Sequence, residues 1–110
     1  DALLRSFAAS PYTPPSVAAS EEQVGPDVLA ALLERGDLVK VSSEVLFTGE
    51  TYREMVARIT DHLRREGKVT VAQVRDLFNT SRKYALGLLE YLDDQQITRR
   101  VGDERVLRSG

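Results

Sequence analysis

Between Val69 and Leu107 the spacing of apolar residues changes repeatedly, and each change falls on residues that end one element and start the next. Thr70 and Gln73 stand three apart, the spacing of a capping box in which each side chain bonds the other residue's backbone N–H. Behind them Val71, Val74, Leu77 and Phe78 supply the apolar face of a two-turn helix that stops at Asn79. Asn79, Thr80 and Ser81 are turn and N-cap types. From Ser81 onward Ala85, Leu88, Leu89 and Leu92 recur at helical spacing, predicting a helix over 81–94. Ile97 to Leu107 then alternates around Gly102 and Asp103, a hairpin signal.

Upstream, "TYREMVARITDHLRREG" has Thr51 and Glu54 spaced as another capping box. Tyr52, Val56, Ile59 and Leu63 fall on one face, and Gly67 is placed to stop the helix. Helix, short strand, helix, tight turn, helix, hairpin is the order of a winged helix-turn-helix, expected over 49–110. The segment before it has the same ending. Pro26 suits a first helical turn, Val28, Leu29, Leu32 and Leu33 make an apolar stripe, and Gly36 ends it. Val39 and Val41 then face Val45 and Phe47 across a polar "SS" pair, which predicts a hairpin over 38–47. Residues 2–7 resemble the tail of a helix, and "SPYTPPSVAAS" is expected to be extended or turning, because Pro11, Pro14 and Pro15 bias the residues before them away from helix. "LLERGDLVKVSSEVLF" and "LLEYLDDQQITRRVGDERVL" form a weak internal repeat. The expected class is therefore mostly α with small β-hairpins (α+β), as two tandem winged-helix modules: 1–48, shortened at its front, and 49–110.

Composition narrows the function. The 110 residues are 42% hydrophobic and 29% charged with a net charge of −2, which excludes binding a polyanion with the whole surface but allows a local basic patch. Residues 1–63 carry five Lys/Arg against ten Asp/Glu, and residues 64–110 carry ten against seven. The candidate patch is thus C-terminal. With no cysteine there is no disulfide, thiolate metal site or cysteine nucleophile, and His62 is the one histidine. Gly25, Gly36, Gly49, Gly67 and Gly102 are isolated turn residues, not a phosphate loop, and Glu21/Glu22 and Asp93/Asp94 read as solvated charges; neither catalysis nor a cofactor is expected. No apolar run approaches the roughly 20 residues of a membrane helix, and the chain begins at Asp1 without an initiator Met, so a soluble piece of something longer is expected; a cytoplasmic location and a monomeric state are expected as well.

The basic residues are oddly placed. Arg82 and Lys83 fall in the first turn of the 81–94 helix, where cations oppose the helix dipole, while Glu90, Asp93 and Asp94 occupy its unfavourable end. A bound phosphate resolves the N-terminal half, because free N–H groups, the Ser81 hydroxyl and two cations converge on it. In the hairpin, a two-residue loop sets Arg100 opposite Arg105, and a four-residue loop sets Arg99 opposite Arg108; either is mildly destabilising. Solvated heads on apolar stems account for any one arginine, but the set favours a polyanion. Tyr84 is either a base-stacking residue or, at its spacing to Leu88 and Tyr91, a core-edge residue.

"VTVAQVRDLFNTSRKYALGLLEYLDDQQITRRVGDERVLR" resembles the last winged helix of the bacterial selenocysteine-specific translation elongation factor, and "YTPPSV" with "LLERGDLVKVSSEVLF" resembles the one before it. The resemblance implies a fragment of a GTPase that carries selenocysteyl-tRNA to the ribosome, with GTP and Mg held in a domain outside this chain. It implies an mRNA stem-loop beside an in-frame UGA codon as this fragment's partner. It also implies RNA contacts from Asn79, Thr80, Ser81, Arg82, Lys83 and Tyr84 at the helix start, and from Arg99, Arg100, Arg105 and Arg108 in or beside the wing. A DNA-binding module and a protein-interaction module stand as the alternatives.

Overall fold

The computed structural model describes residues 2–108. Its chain divides into two compact units, 1–53 and 54–110, and the class is mixed α/β, with six helices and two small antiparallel sheets among the described residues.

The first unit opens with α1 (Ala2–Ala9) and α2 (Val17–Val24). Here α2 overturns the expectation of a proline-broken segment: Ser16, just past the prolines, takes the extended N-cap conformation and its hydroxyl accepts the Ala19 N–H at 3.0 Å. Prolines that block a helix upstream leave it free to start one residue later. Next comes α3 (Pro26–Glu34), with the proline in its first turn and Gly36 (φ 80°) just beyond its end. Strands β1 (Leu38–Lys40) and β2 (Leu46–Thr48) pair with Val39 opposite Phe47. Leu3, Phe7, Leu29, Leu32, Leu38 and Leu46 form one buried core.

α4 (Gly49–Glu66) begins three residues earlier than a Thr51 N-cap implies, and the Thr51/Glu54 capping box is not the device that starts it. Thr48, the last residue of β2, accepts the Thr51 N–H on its hydroxyl at 3.0 Å. The hairpin thus supplies the cap itself. Gly49 permits this tight exit, since a Cβ there would run into the Gly36 carbonyl.

In the second unit Met55, Ile59 and Leu63 are the buried positions of α4, so the buried stripe is turned slightly from the expected Tyr52/Val56 side, whose residues are half-buried. After Gly67 (φ 84°) come β3 (Val69–Thr70), α5 (Val71–Leu77), α6 (Arg82–Asp94), β4 (Thr98–Val101) and β5 (Glu104–Leu107). The Thr70/Gln73 capping box forms in both directions, at 3.1 and 2.9 Å. β5 lies between β3 and β4, so the wing is a three-stranded sheet rather than a lone hairpin. Ala85, Leu88, Leu89 and Leu92 are all buried.

Candidate nucleic-acid interface

The turn between α5 and α6 is fixed from both sides. Past the end of α5 the chain closes as a Schellman motif: the Asn79 N–H bonds the Asp76 carbonyl at 3.3 Å and the Thr80 N–H bonds the Arg75 carbonyl at 2.9 Å. Asn79 sits at φ 49°, the left-handed position that asparagine tolerates better than most residues. From α4, Arg58 donates Nη2 to the Leu77 carbonyl at 3.0 Å and lies 4.6 Å over the Phe78 ring. Arg58 carried no sequence signal, because its spacing on α4 reads as solvated surface.

Ser81 then takes the extended N-cap conformation, yet its side chain makes no capping bond. The first turn of α6 holds Arg82 and Lys83 and no acidic residue. Both cations are exposed, Thr80 and Tyr84 are half-buried, and the Lys83 Nζ lies 5.7 Å from the Tyr84 ring. Ser81 Oγ and two cations thus stand together at the positive end of a 13-residue helix.

The wing adopts the two-residue loop. Gly102 alone in that turn has a left-handed φ, 62°, the sign pattern of a type II′ turn. Arg100 therefore faces Arg105, and Arg99 faces Val106. The like-charge pair is relieved from within: Arg105 is only 3% exposed, and its Nε donates to Asp93 Oδ2 at 3.1 Å. Asp93 in turn accepts the Thr98 hydroxyl on Oδ1 at 2.6 Å. Arg105 thus leaves the exposed basic set, and Asp93 is not the solvated charge its position suggested. Arg100 stays exposed, with Nε bonded to the Gly102 carbonyl at 2.9 Å. Arg99 and Arg108 are exposed as well.

These elements enclose a cleft of about 510 Å³ whose lining includes Arg82, Leu86 and Glu90 from one face of α6, Arg100, Asp103 and Arg105 from the wing, and the start of α5. Arg82 and Arg100, far apart in sequence, border the same opening. The pleat puts Arg99 on the other face of the sheet from Arg100, so the expected set is split between the cleft and the outer side of the wing. Among the described residues no group of three or more His, Cys, Asp or Glu is placed to hold a metal, and no helix is long and apolar enough to cross a membrane.

The family described as "Elongation factor SelB, winged helix" matches residues 61–107. The chain is 36% identical over 77 residues to the selenocysteine-specific elongation factor of Desulfomicrobium baculatum, covering 70% of this chain. It is 34% identical over 76 residues to the same factor of Haemophilus influenzae, covering 66% of this chain. The chain spans only 12% of the length of either relative. Among solved structures it is similar to the mRNA-binding domain of elongation factor SelB from E. coli in complex with SECIS RNA, with a TM-score of 0.77, 23% identity, and coverage of 96% of this chain and 93% of that one. It is also similar to a bacterial selenocysteine-specific elongation factor, with a TM-score of 0.70, 22% identity, and coverage of 86% and 16%. These two likenesses establish the fold alone.

Proposed function

Residues 61–107 belong to the winged-helix family of the selenocysteine-specific elongation factor SelB, and from that premise we propose that this chain is the mRNA-binding end of such a factor. In this reading the chain is two tandem winged-helix modules, and each has three helices ahead of its hairpin. The second binds an mRNA hairpin, the selenocysteine insertion element, and tethers the factor with its selenocysteyl-tRNA beside an in-frame UGA codon. GTP and Mg belong to a GTPase domain outside this chain, as do the contacts with tRNA and ribosome; the fragment itself is a cytoplasmic monomer without catalytic activity.

The observation that carries the reading is the border of the cleft, where exposed Arg82 at the start of α6 and exposed Arg100 in the wing meet across an opening. The A-form major groove is too narrow for a helix to lie in, so proteins take up RNA phosphates, loops and unpaired bases instead. A helix that offers its cationic first turn, Ser81 through Lys83, suits that mode. A helix read along its length in a DNA major groove would have to use Leu86 and Glu90, which offer little base-reading chemistry. Acidic residues outnumber basic ones eight to four in the first unit, which favours a spacer or packing role for it over a second RNA site.

The test is a titration against a labelled hairpin adjacent to a UGA codon, with a scrambled hairpin and a DNA duplex as competitors. Tight binding that resists both competitors is expected. Equal and weak binding to all three would reject the tether and leave general electrostatics.

A further inference from the structure

We propose that Asp93 is a positioning residue, clasping the wing to α6 through Arg105 and Thr98 so that Arg82 and Arg100 act on one RNA; the consequence for RNA rests on the hairpin-binding reading above. Four observations lead there. Asp93 lies in the last turn of α6, where a carboxylate opposes the helix dipole, so local helix stability does not account for it. Its two oxygens are engaged by the wing, Oδ2 by Arg105 of β5 at 3.1 Å and Oδ1 by Thr98 of β4 at 2.6 Å. Arg105 stands on the central strand, opposite Val69 of β3 and Arg100 of β4, so a single carboxylate fixes all three strands against the helix. And Arg105, 4% exposed at its side chain, is among the most buried charged groups of the chain, while its partner keeps 23%.

A buried ion pair is a poor way to gain stability, because desolvation offsets most of the attraction, and apolar residues of similar volume often do as well. What it supplies is geometry: two directional bonds that are satisfied in one arrangement of wing and helix only. Asp93 lies ~16 Å along α6 from Arg82, eleven residues at the helical rise, too far to meet a phosphate held at the helix start. Its influence on binding there must pass through the angle between α6 and the sheet.

The chain has no cysteine, so spin labels at Glu90→Cys on α6 and Asp103→Cys at the wing tip report that angle directly in the free protein. The expected result is a narrow distance distribution in the otherwise unaltered protein and a broad one in Asp93→Asn, at a temperature where circular dichroism shows both folded. An equally narrow distribution in Asp93→Asn overturns the clasp. Should Asp93→Asn fail to fold, Thr98→Val removes one of the two bonds alone, and a distribution left unchanged by it overturns the clasp in the same way. In parallel, without labels, Asp93→Asn is expected to weaken hairpin binding about tenfold, within the range that coupling through a packed network carries, while binding to scrambled RNA stays the same. An equal loss on both RNAs rejects positioning in favour of general destabilisation. If the unaltered protein does not prefer the hairpin, the RNA reading fails, and the distance measurement still decides the clasp.

Discussion

Asn79 at φ 49° and Gln96 at φ 61° hold a left-handed backbone without being glycine, and both close a helix in the same way. The Gln96 N–H bonds the Asp93 carbonyl at 3.0 Å and the Ile97 N–H bonds the Leu92 carbonyl at 2.9 Å, a second Schellman motif. Glutamine gains nothing from this conformation, whereas glycine adopts it without a Cβ penalty. Gln96→Gly is therefore expected to stabilise the second unit by about 0.5–1 kcal/mol, read as a higher urea midpoint at unchanged slope. Asn79→Gly is expected to be close to neutral by the same measurement, since asparagine is already at home there. Any loss of RNA binding in folded Asn79→Gly then belongs to the side chain. Gly49 shows the opposite constraint. Its ordinary φ would accept alanine, but the Gly36 carbonyl occupies the space of a Cβ, so Gly49→Ala is expected to cost about 1–3 kcal/mol through overpacking, again by urea denaturation.

At the scale of elements, local chemistry and distant pairing divide what the sequence discloses. The α5–α6 pair was legible almost to the residue, because its signals are short-range: the Thr70/Gln73 box, the Asn79 turn, and the four apolar positions of α6. The start of α4 was not, because two threonines three apart compete as caps and only the hairpin geometry decides between them. Thr48, held at the end of β2, reaches the Thr51 N–H and wins. Thr48→Ala is thus expected to cost about 1 kcal/mol, the usual loss of an N-cap, while Thr51→Ala costs a few tenths of that; thermal melts of the two variants separate the assignments. The basic set was legible by composition but not by role. Arg105 and Arg100 look alike in sequence, and only pairing across the wing, with Asp93 beneath, makes one structural and leaves the other exposed. The same non-local pairing hid Asp93 and Arg58, whose partners lie 12 and 19 residues away.

Across the whole molecule, charge is sorted by unit: four Lys/Arg against eight Asp/Glu in 1–53, and eleven against nine in 54–110. The cations of the second unit are sorted further, since Lys68 pairs with Glu104, Arg65 with Asp61, Arg75 with Asp76 and Arg105 with Asp93. An ion pair already made contributes little to counterion release, because its phosphate contact would have to break it. Arg82, Lys83, Arg99, Arg100 and Arg108 are the exposed cations of the helix start and wing, which sets an upper limit on the phosphates that surface engages. Each phosphate contact lowers the slope of log binding constant against log salt by about 0.7–0.9, so all five together give a slope of about −3.5 to −4.5. Arg82→Ala is expected to make that slope shallower by about 1 and to weaken hairpin binding by about 1–3 kcal/mol at fixed salt. Arg35→Ala, which removes a cation already paired with Asp37 at 2.8 Å in the acidic unit, should leave slope and affinity as they were. Binding measured over a series of salt concentrations for the three proteins separates a local contact from an overall charge effect: equal changes in the two variants would mean that RNA senses net charge alone, and a change confined to Arg82→Ala places a phosphate at the first turn of α6.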